Sequence, residues 1–246
     1  MKFDETNMGG EQRSFAETAH DMVVGLRNPQ GPDYRKAFDD FCRRYWKPVY
    51  AYIRAGWAKG NEEAKDLTQA FFLWLAESDA LRKFEPERGS LRRFLRVLLR
   101  SFIGHDEVAL ARLKRGGGTH VVSLDAGAAE LEHLVPDPRS PDPEANYERV
   151  WRHTVLQHAV HALREHSLAQ GRSADFHLFT DYDLLPEPVR PTYKDLAARY
   201  KIDEAEVKKR LLDMRDRLRR EVRAELARVT MHDEAIDDEW TVLFGG

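Results

Sequence analysis

Cysteine is almost missing from this chain: Cys42 is the only one in 246 residues. That excludes an intrachain disulfide framework and any cysteine-based zinc site. Long apolar runs are missing too. No stretch approaches the roughly 18 to 20 apolar residues a membrane helix needs, and the start, MKFDETNMGGEQRSF, has no apolar segment of signal-peptide length. A cytoplasmic protein without a membrane segment is expected. Catalytic signatures are equally scarce. The GxxxxGK[ST] phosphate loop does not occur, and Gly116 to Gly118 lack the flanking strand and helix of a nucleotide site. Neighbouring carboxylates such as Glu62 and Glu63, or Asp237 and Asp238, read as solvated faces. Four histidines, His153, His158, His161 and His166, crowd one predicted helix. Only His158 and His161 share a face, and two ligands with no nearby cysteine do not complete a usual zinc set. These absences point away from an enzyme, a metal or a cofactor.

What the chain has is charge. It is 42% hydrophobic and 33% charged, the composition of a globular protein with heavily charged surfaces. The net charge of −3 conceals a segregated pattern. From Leu91 to Arg115 the bases are Arg92, Arg93, Arg96, Arg100, Arg112, Lys114 and Arg115, against only Asp106 and Glu107. Acid collects in the tail, at Asp233, Glu234, Asp237, Asp238 and Glu239. Such separation is compatible with a polyanionic partner despite the acidic total.

Periodicity predicts an all-α protein: two small helical domains joined by a Gly/Pro-containing linker, the second ending in a helix-turn-helix. An N-terminal extension covers 1–32, with a short helix around Ala16 to Leu26, and ends in the breaker RNPQGPD. A helical bundle follows over 33–115. Its first stripe is Phe38, Phe41, Cys42, Tyr45, Val49, Tyr52 and Ile53, with Pro48 expected to kink or disturb the helix. Its third is Leu91, Phe94, Leu95, Leu98, Leu99, Phe102 and Ile103, continuing weakly to Leu110 and Leu113. The linker, 116–145, is rich in Gly, Pro and Asp, although Val121, Val122 and Leu124 could pack on something. The second domain is assigned to 146–229, with a helix from about Glu144 to Ala169 and FHLFTDYDLLPEPVRP as an aromatic, proline-rich connection. An acidic tail fills 230–246.

Two stretches carry most of the functional signal. In KDLTQAFFLWLAE, residues 65–77, the stripe Leu67, Phe71, Trp74 and Leu75 already satisfies an amphipathic helix. At 100° per residue Phe72 lies on the flank and Leu73 nearly opposite, beside Asp66 and Gln69. These four either form a docking patch or belong to a helix buried on two sides. Near the end, Thr192 with Asp195, and Asp203 with Glu206, resemble capping boxes of two helices separated only by Lys201 to Asp203. In such a motif the second helix points Glu204, Glu206, Lys208 and Lys209 toward a major groove, with Arg210, Arg215 and Arg217 available for phosphates. A charged surface helix is the alternative, since Asp213, Asp216, Glu221 and Glu225 balance many of those bases.

Taken together, RRYWKPVYAYIR, AKDLTQAFFLWLAE, FEPERGSLRRFL, KRGGG followed by VSLD, and the late FHLFTDYDL before the helix-turn-helix resemble the sigma factors of bacterial RNA polymerase. The resemblance is to the extracytoplasmic-function (ECF) class, a longer ECF-like group, and runs from about Ser14 to the end. It implies that 33–115 is region 2-like and 146–229 region 4-like. Asp66, Gln69, Phe72 and Leu73 would then dock on the clamp helices of the beta-prime subunit of core RNA polymerase, with a further contact to the beta flap. Arg92, Arg93, Arg96, Arg100, Arg112, Lys114 and Arg115 would meet the minus-ten element, Phe84 would receive an unstacked base, and the helix-turn-helix would read the minus-thirty-five element. An anti-sigma factor or other regulator is a further partner of the kind the family has. The linker would thread through the polymerase.

Some positions depart from the family pattern. Ala70 stands where relatives usually carry Glu, Phe94 where Trp is frequent, and Ser101 and His105 where Asn and Asp are frequent. Asp213 and Asp216 put negative charge where many relatives are basic, which is expected to repel phosphate. Two alternatives therefore stay open: a polymerase-independent helix-turn-helix regulator, and a degenerate sigma acting as an interaction protein. The acidic end either restrains the basic surfaces or packs on the last domain through Trp240, Val242, Leu243 and Phe244.

Overall fold

The computed structural model describes residues 22–56, 60–104, 142–230 and 232–245. Among them every regular element is a helix. Residues 22–27 are helical, and α1 then spans Tyr34–Gly56, running unbroken through Pro48. An interior proline costs about 3 kcal/mol. Here Phe41, Tyr45, Val49, Tyr52 and Ile53 are all buried around it. At about 1.5–3 kcal/mol per large side chain, their burial outweighs the missing bond, which is why the expected disturbance does not end the helix.

Helix α2 spans Asn61–Glu77 and α3 spans Leu91–Ile103. Two short 3-10 turns, Leu81–Lys83 and Pro86–Arg88, join them. Gly89 closes the second turn at φ 138°, a conformation a side chain would strain. Ser90 then caps α3 by accepting a hydrogen bond from the Arg93 amide. The stripe of α3 is buried at Leu91, Leu95, Leu99, Phe102 and Ile103. Its expected continuation to Arg115, the triple glycine and VVSLD lie outside the described residues.

Helix α4 spans Pro143–Ala169. The Asp142 carboxylate accepts from the amides of Glu144 and Ala145, both at 3.0 Å, so the first turn is capped. The described chain divides into two compact units, one running to Thr154 and taking back the chain from Leu226 onward, the other Val155–Glu225. The division falls inside α4 rather than at residue 145. Tyr147, Val150 and Trp151, on the first turns of α4, are core residues of the first unit, with Tyr147 edge-on to Tyr52 at 6.3 Å.

The second unit contains α5 (Ser173–Asp183), α6 (Tyr193–Tyr200) and most of α7 (Glu204–Ala227). FHLFTDYD is not a connection, as its aromatic and proline-rich surroundings suggest, but lies wholly within α5. Phe176, Leu178 and Phe179 pack with Leu163, Leu196, Val207, Leu211 and Met214 in one core. Tertiary burial of aromatic residues thus sets this helix, and its own sequence has no clean stripe. The Thr192–Asp195 capping box is formed in both directions. At the start of α7 only half of the second box forms, Asp203 accepting from the Glu206 amide at 2.7 Å. Lys201 ends α6 in the left-handed region at φ 54°, giving the tight turn between the two helices. The acidic tail is itself a helix, α8 (Asp233–Phe244), whose first-turn Asp233 and Glu234 suit the positive end of its dipole.

Candidate nucleic-acid interface and docking face

On α2 the outward residues are Asp66 and Gln69, both exposed, with Leu73 half-buried one turn further on. Their spacing of three and four puts them on one face. Phe72 is not part of it. It is buried, edge-on to Phe41 at 5.9 Å and to Phe71 at 5.7 Å, while Phe71 meets Phe102 at 5.3 Å. Helix α2 thus has aromatic neighbours on both α1 and α3: Phe71 takes the contact with α3, and Phe41 of α1 covers the flank position Phe72. Ala70 is buried as well.

The turn before α3 and the first half of α3 enclose a cleft of about 290 Å³, lined by Lys83, Phe84, Arg88, Arg93, Phe94 and Val97 among others. Phe84 lines it with a side chain that is itself buried, its ring 5.3 Å from that of Phe94. Val97 stands 66% exposed at the rim. Arg93 is exposed and has no ion pair among the described residues. An aromatic, partly apolar wall with a cation at its edge suits one flat, anionic-backbone ligand unit.

The other three arginines of α3 are already occupied. Arg92 is 3% exposed and donates to both oxygens of Glu239, at 2.8 and 3.2 Å. It also pairs with Glu148, and its guanidinium lies over the Trp151 ring, 4.6 Å from the centroid. Burial works against its charge, yet the bonds it donates to Glu239 and the nearby Glu239 and Glu148 carboxylates win and hold its proton more firmly than usual. Arg92 is therefore a core ion-pair residue, not the outward phosphate ligand that the resemblance implies. Arg96 donates to Glu148 at 2.7 Å, and Arg100 to Glu144 at 2.9 Å. Arg112, Lys114 and Arg115 lie outside the described residues.

In the helix-turn-helix, Glu204, Lys208 and Lys209 are exposed, and Glu206 is half-buried. The arginines assigned to phosphates are engaged within their own unit. Arg210 donates to Glu206 at 2.8 Å and to Asp175 at 3.1 Å. Arg215 grips Asp183 through Nε and Nη2, and Arg217 reaches Asp213 at 3.1 Å and Gln170 at 2.9 Å. Burial alone would raise the Asp213 carboxyl, but hydrogen bonds from Arg172 and Arg217 lower it. Asp213 thus serves as a clamp between α7 and the Gly171 turn rather than as a repulsive charge. Asp216 pairs with Arg219 on the surface.

Two histidines of the crowded set also have carboxylate partners: His158 with Glu225 at 2.9 Å and His166 with Glu221 at 2.8 Å. Among the described residues no group of three or more His, Cys, Asp or Glu could hold a metal ion. Nor is any described helix long and apolar enough to cross a membrane. The residues that sequence reasoning missed are Glu144, Glu148, Trp151 and Glu239, which together occupy the basic face of α3. One signal was present: Glu144 and Glu148 repeat at the same i, i+4 interval as Arg92, Arg96 and Arg100. Neither a family model, nor a curated protein, nor a solved structure matches this chain.

Proposed function

We propose that this protein is a sigma factor of the ECF class: it binds core RNA polymerase, directs it to promoter DNA and assists strand opening, while the polymerase performs the chemistry. The observation that carries the reading is the cleft before α3, where Phe84, Phe94 and Val97 meet the exposed Arg93. Opening a promoter costs a few kcal/mol per unstacked base, and a pocket that holds one such base beside a cation offsets it. Supporting it are the outward Asp66–Gln69–Leu73 face on the adjoining helix, its Leu73 half-buried, and a helix-turn-helix with Lys208 and Lys209 exposed at the start of its second helix. In this reading the α2 face meets the clamp helices of the beta-prime subunit, the second unit meets the beta flap and the minus-thirty-five element, and the protein works in the cytoplasm without a cofactor. An anti-sigma factor is a natural further partner.

The test is run-off transcription with purified core polymerase and a genomic promoter library. Transcripts that require the protein, and that fade with both Asp66→Ala and Leu73→Ala, are the expected result. Core binding without any transcript favours the degenerate-sigma alternative, which the self-paired arginines Arg210, Arg215 and Arg217 also favour. Protection of a specific DNA site by the protein alone, with no polymerase binding, favours the independent regulator.

A further inference from the structure

The basic face of α3 is covered by the chain's own acids. Arg96 and Arg100 stand four residues apart, and so do Glu144 and Glu148 on the first turns of α4. The two rows face each other as rungs: Arg100 with Glu144 at 2.9 Å, Arg96 with Glu148 at 2.7 Å, and a longer cross-contact from Arg96 to Glu144 at 3.8 Å. On a helix the Cβ atoms of residues four apart lie about 5–6 Å apart, so the Glu144 and Glu148 carboxylates stand side by side along one edge of α4, both within reach of Arg96. Successive phosphates on an unstacked nucleic-acid strand likewise form a row. A protein surface that would take phosphates is thus filled by groups of the same charge in a similar row.

We propose that Glu144 and Glu148 are an intramolecular phosphate mimic, shielding Arg96 and Arg100 so that the free chain binds single-stranded DNA below its capacity. The inference rests on the reading of α3 as a nucleic-acid surface. It differs from a mere structural ion pair because the rungs are graded by burial. Arg92 and its partner Glu239 have side chains 4% and 2% exposed, a fixed anchor. At the other end Arg100 is 73% and Glu144 41% exposed, and such a solvent-facing bridge is weak and exchangeable. The shield therefore yields to a strand that offers several phosphates at once, starting at Arg100 and moving inward to Arg96. A ligand making only one phosphate contact gains little by displacing it. The device discriminates against casual polyanion binding while leaving the Arg93 cleft open.

The test uses the full-length chain and a short labelled DNA single strand of mixed sequence, titrated over a range of salt concentrations. Glu144→Gln removes the most exposed carboxylate and leaves the Arg92 anchor intact, and far-UV circular dichroism checks its fold. It should bind ~2- to 5-fold more tightly at low salt, and the slope of log affinity against log salt should steepen by about 0.7 for the one arginine released. Glu77→Gln, the same charge change at an exposed position of α2, controls for net charge and should leave the slope alone. Arg100→Gln added to Glu144→Gln should erase the gain, whereas Arg100→Gln alone should change little. Equal effects of Glu144→Gln and Glu77→Gln, or an unchanged slope, would overturn the shield while leaving wild-type DNA binding in place. Absence of binding by wild type and Glu144→Gln alike at low salt would overturn the shield together with the nucleic-acid reading of α3.

Discussion

Replacing Glu239 by alanine should weaken the first unit by about 2–3 kcal/mol. The carboxylate is 2% exposed and accepts two bonds from a guanidinium that is itself 4% exposed. Truncating one partner of a buried pair costs about 3–5 kcal/mol when the remaining charge is stranded. Here it is not wholly stranded, because Arg92 keeps Glu148 and the face of Trp151. What is lost is one of two carboxylates, with two charge-assisted bonds worth about 1.5–3 kcal/mol. Glu239→Gln, which retains one acceptor oxygen, should fall at about half the cost. The assay is urea unfolding followed by tryptophan fluorescence. All five tryptophans, Trp46, Trp57, Trp74, Trp151 and Trp240, lie outside Val155–Glu225, so fluorescence follows the first unit and far-UV circular dichroism follows both. A fall in the fluorescence midpoint without the same fall in the second unit is expected. The double replacement Arg92→Met with Glu239→Met should recover most of the loss, since an apolar pair escapes the desolvation cost of two ions. A loss below about 1 kcal/mol for Glu239→Ala would refute the reasoning, because no buried anchor could then exist between α3 and α8.

Two further outcomes concern the second unit. Thr192→Ala removes a cap that accepts the Asp195 amide and is bonded in return, and should cost about 1 kcal/mol, read as a fall in the denaturation midpoint followed by circular dichroism. Asp213 titrates lower in the folded chain than its ordinary carboxylate value, so its stabilising contribution is complete above about pH 4 and is lost as pH falls through its depressed folded value. Melting temperatures measured down the acid limb should therefore drop less steeply for Asp213→Asn than for the wild type, and parallel curves would count against the Arg172–Asp213–Arg217 clamp.

How far the chain could be read in advance depended on whether the determining neighbours were close in sequence. The stripe of α3 was visible because Leu91, Leu95, Leu99 and Phe102 repeat at helical spacing and need only one apolar face beneath them. The capping box at Thr192 was visible for the same reason, its partners being three residues apart. Phe72 was misplaced because rotation about a single helix says which way a side chain points, not how many neighbours wait there. Helix α5 was missed because its aromatic residues are buried by α4, α6 and α7 rather than arranged in a stripe of their own. The pairing of Arg92 with Glu239 joins residues 147 apart in sequence, beyond the reach of any local pattern. The basic run on α3 was therefore legible as charge, but its occupancy was not. The cleft at Phe84 stood between: its residue types were readable, whereas its volume depends on two 3-10 turns and on Gly89.

The lone Cys42, completely buried on α1, acquires a use from that position. Burial chiefly, with the Asp39 carboxylate adding to it, pushes its thiol well above the ordinary range, so the folded chain presents almost no thiolate at neutral pH. Alkylating reagents react with the thiolate and must reach the sulfur, so in the native protein they can act only when α1 opens. One cysteine also means that every label falls at one known place. The rate of alkylation of the unaltered protein is accordingly a clock for opening of the first unit, and running it with and without a short DNA strand would show whether that strand slows the opening.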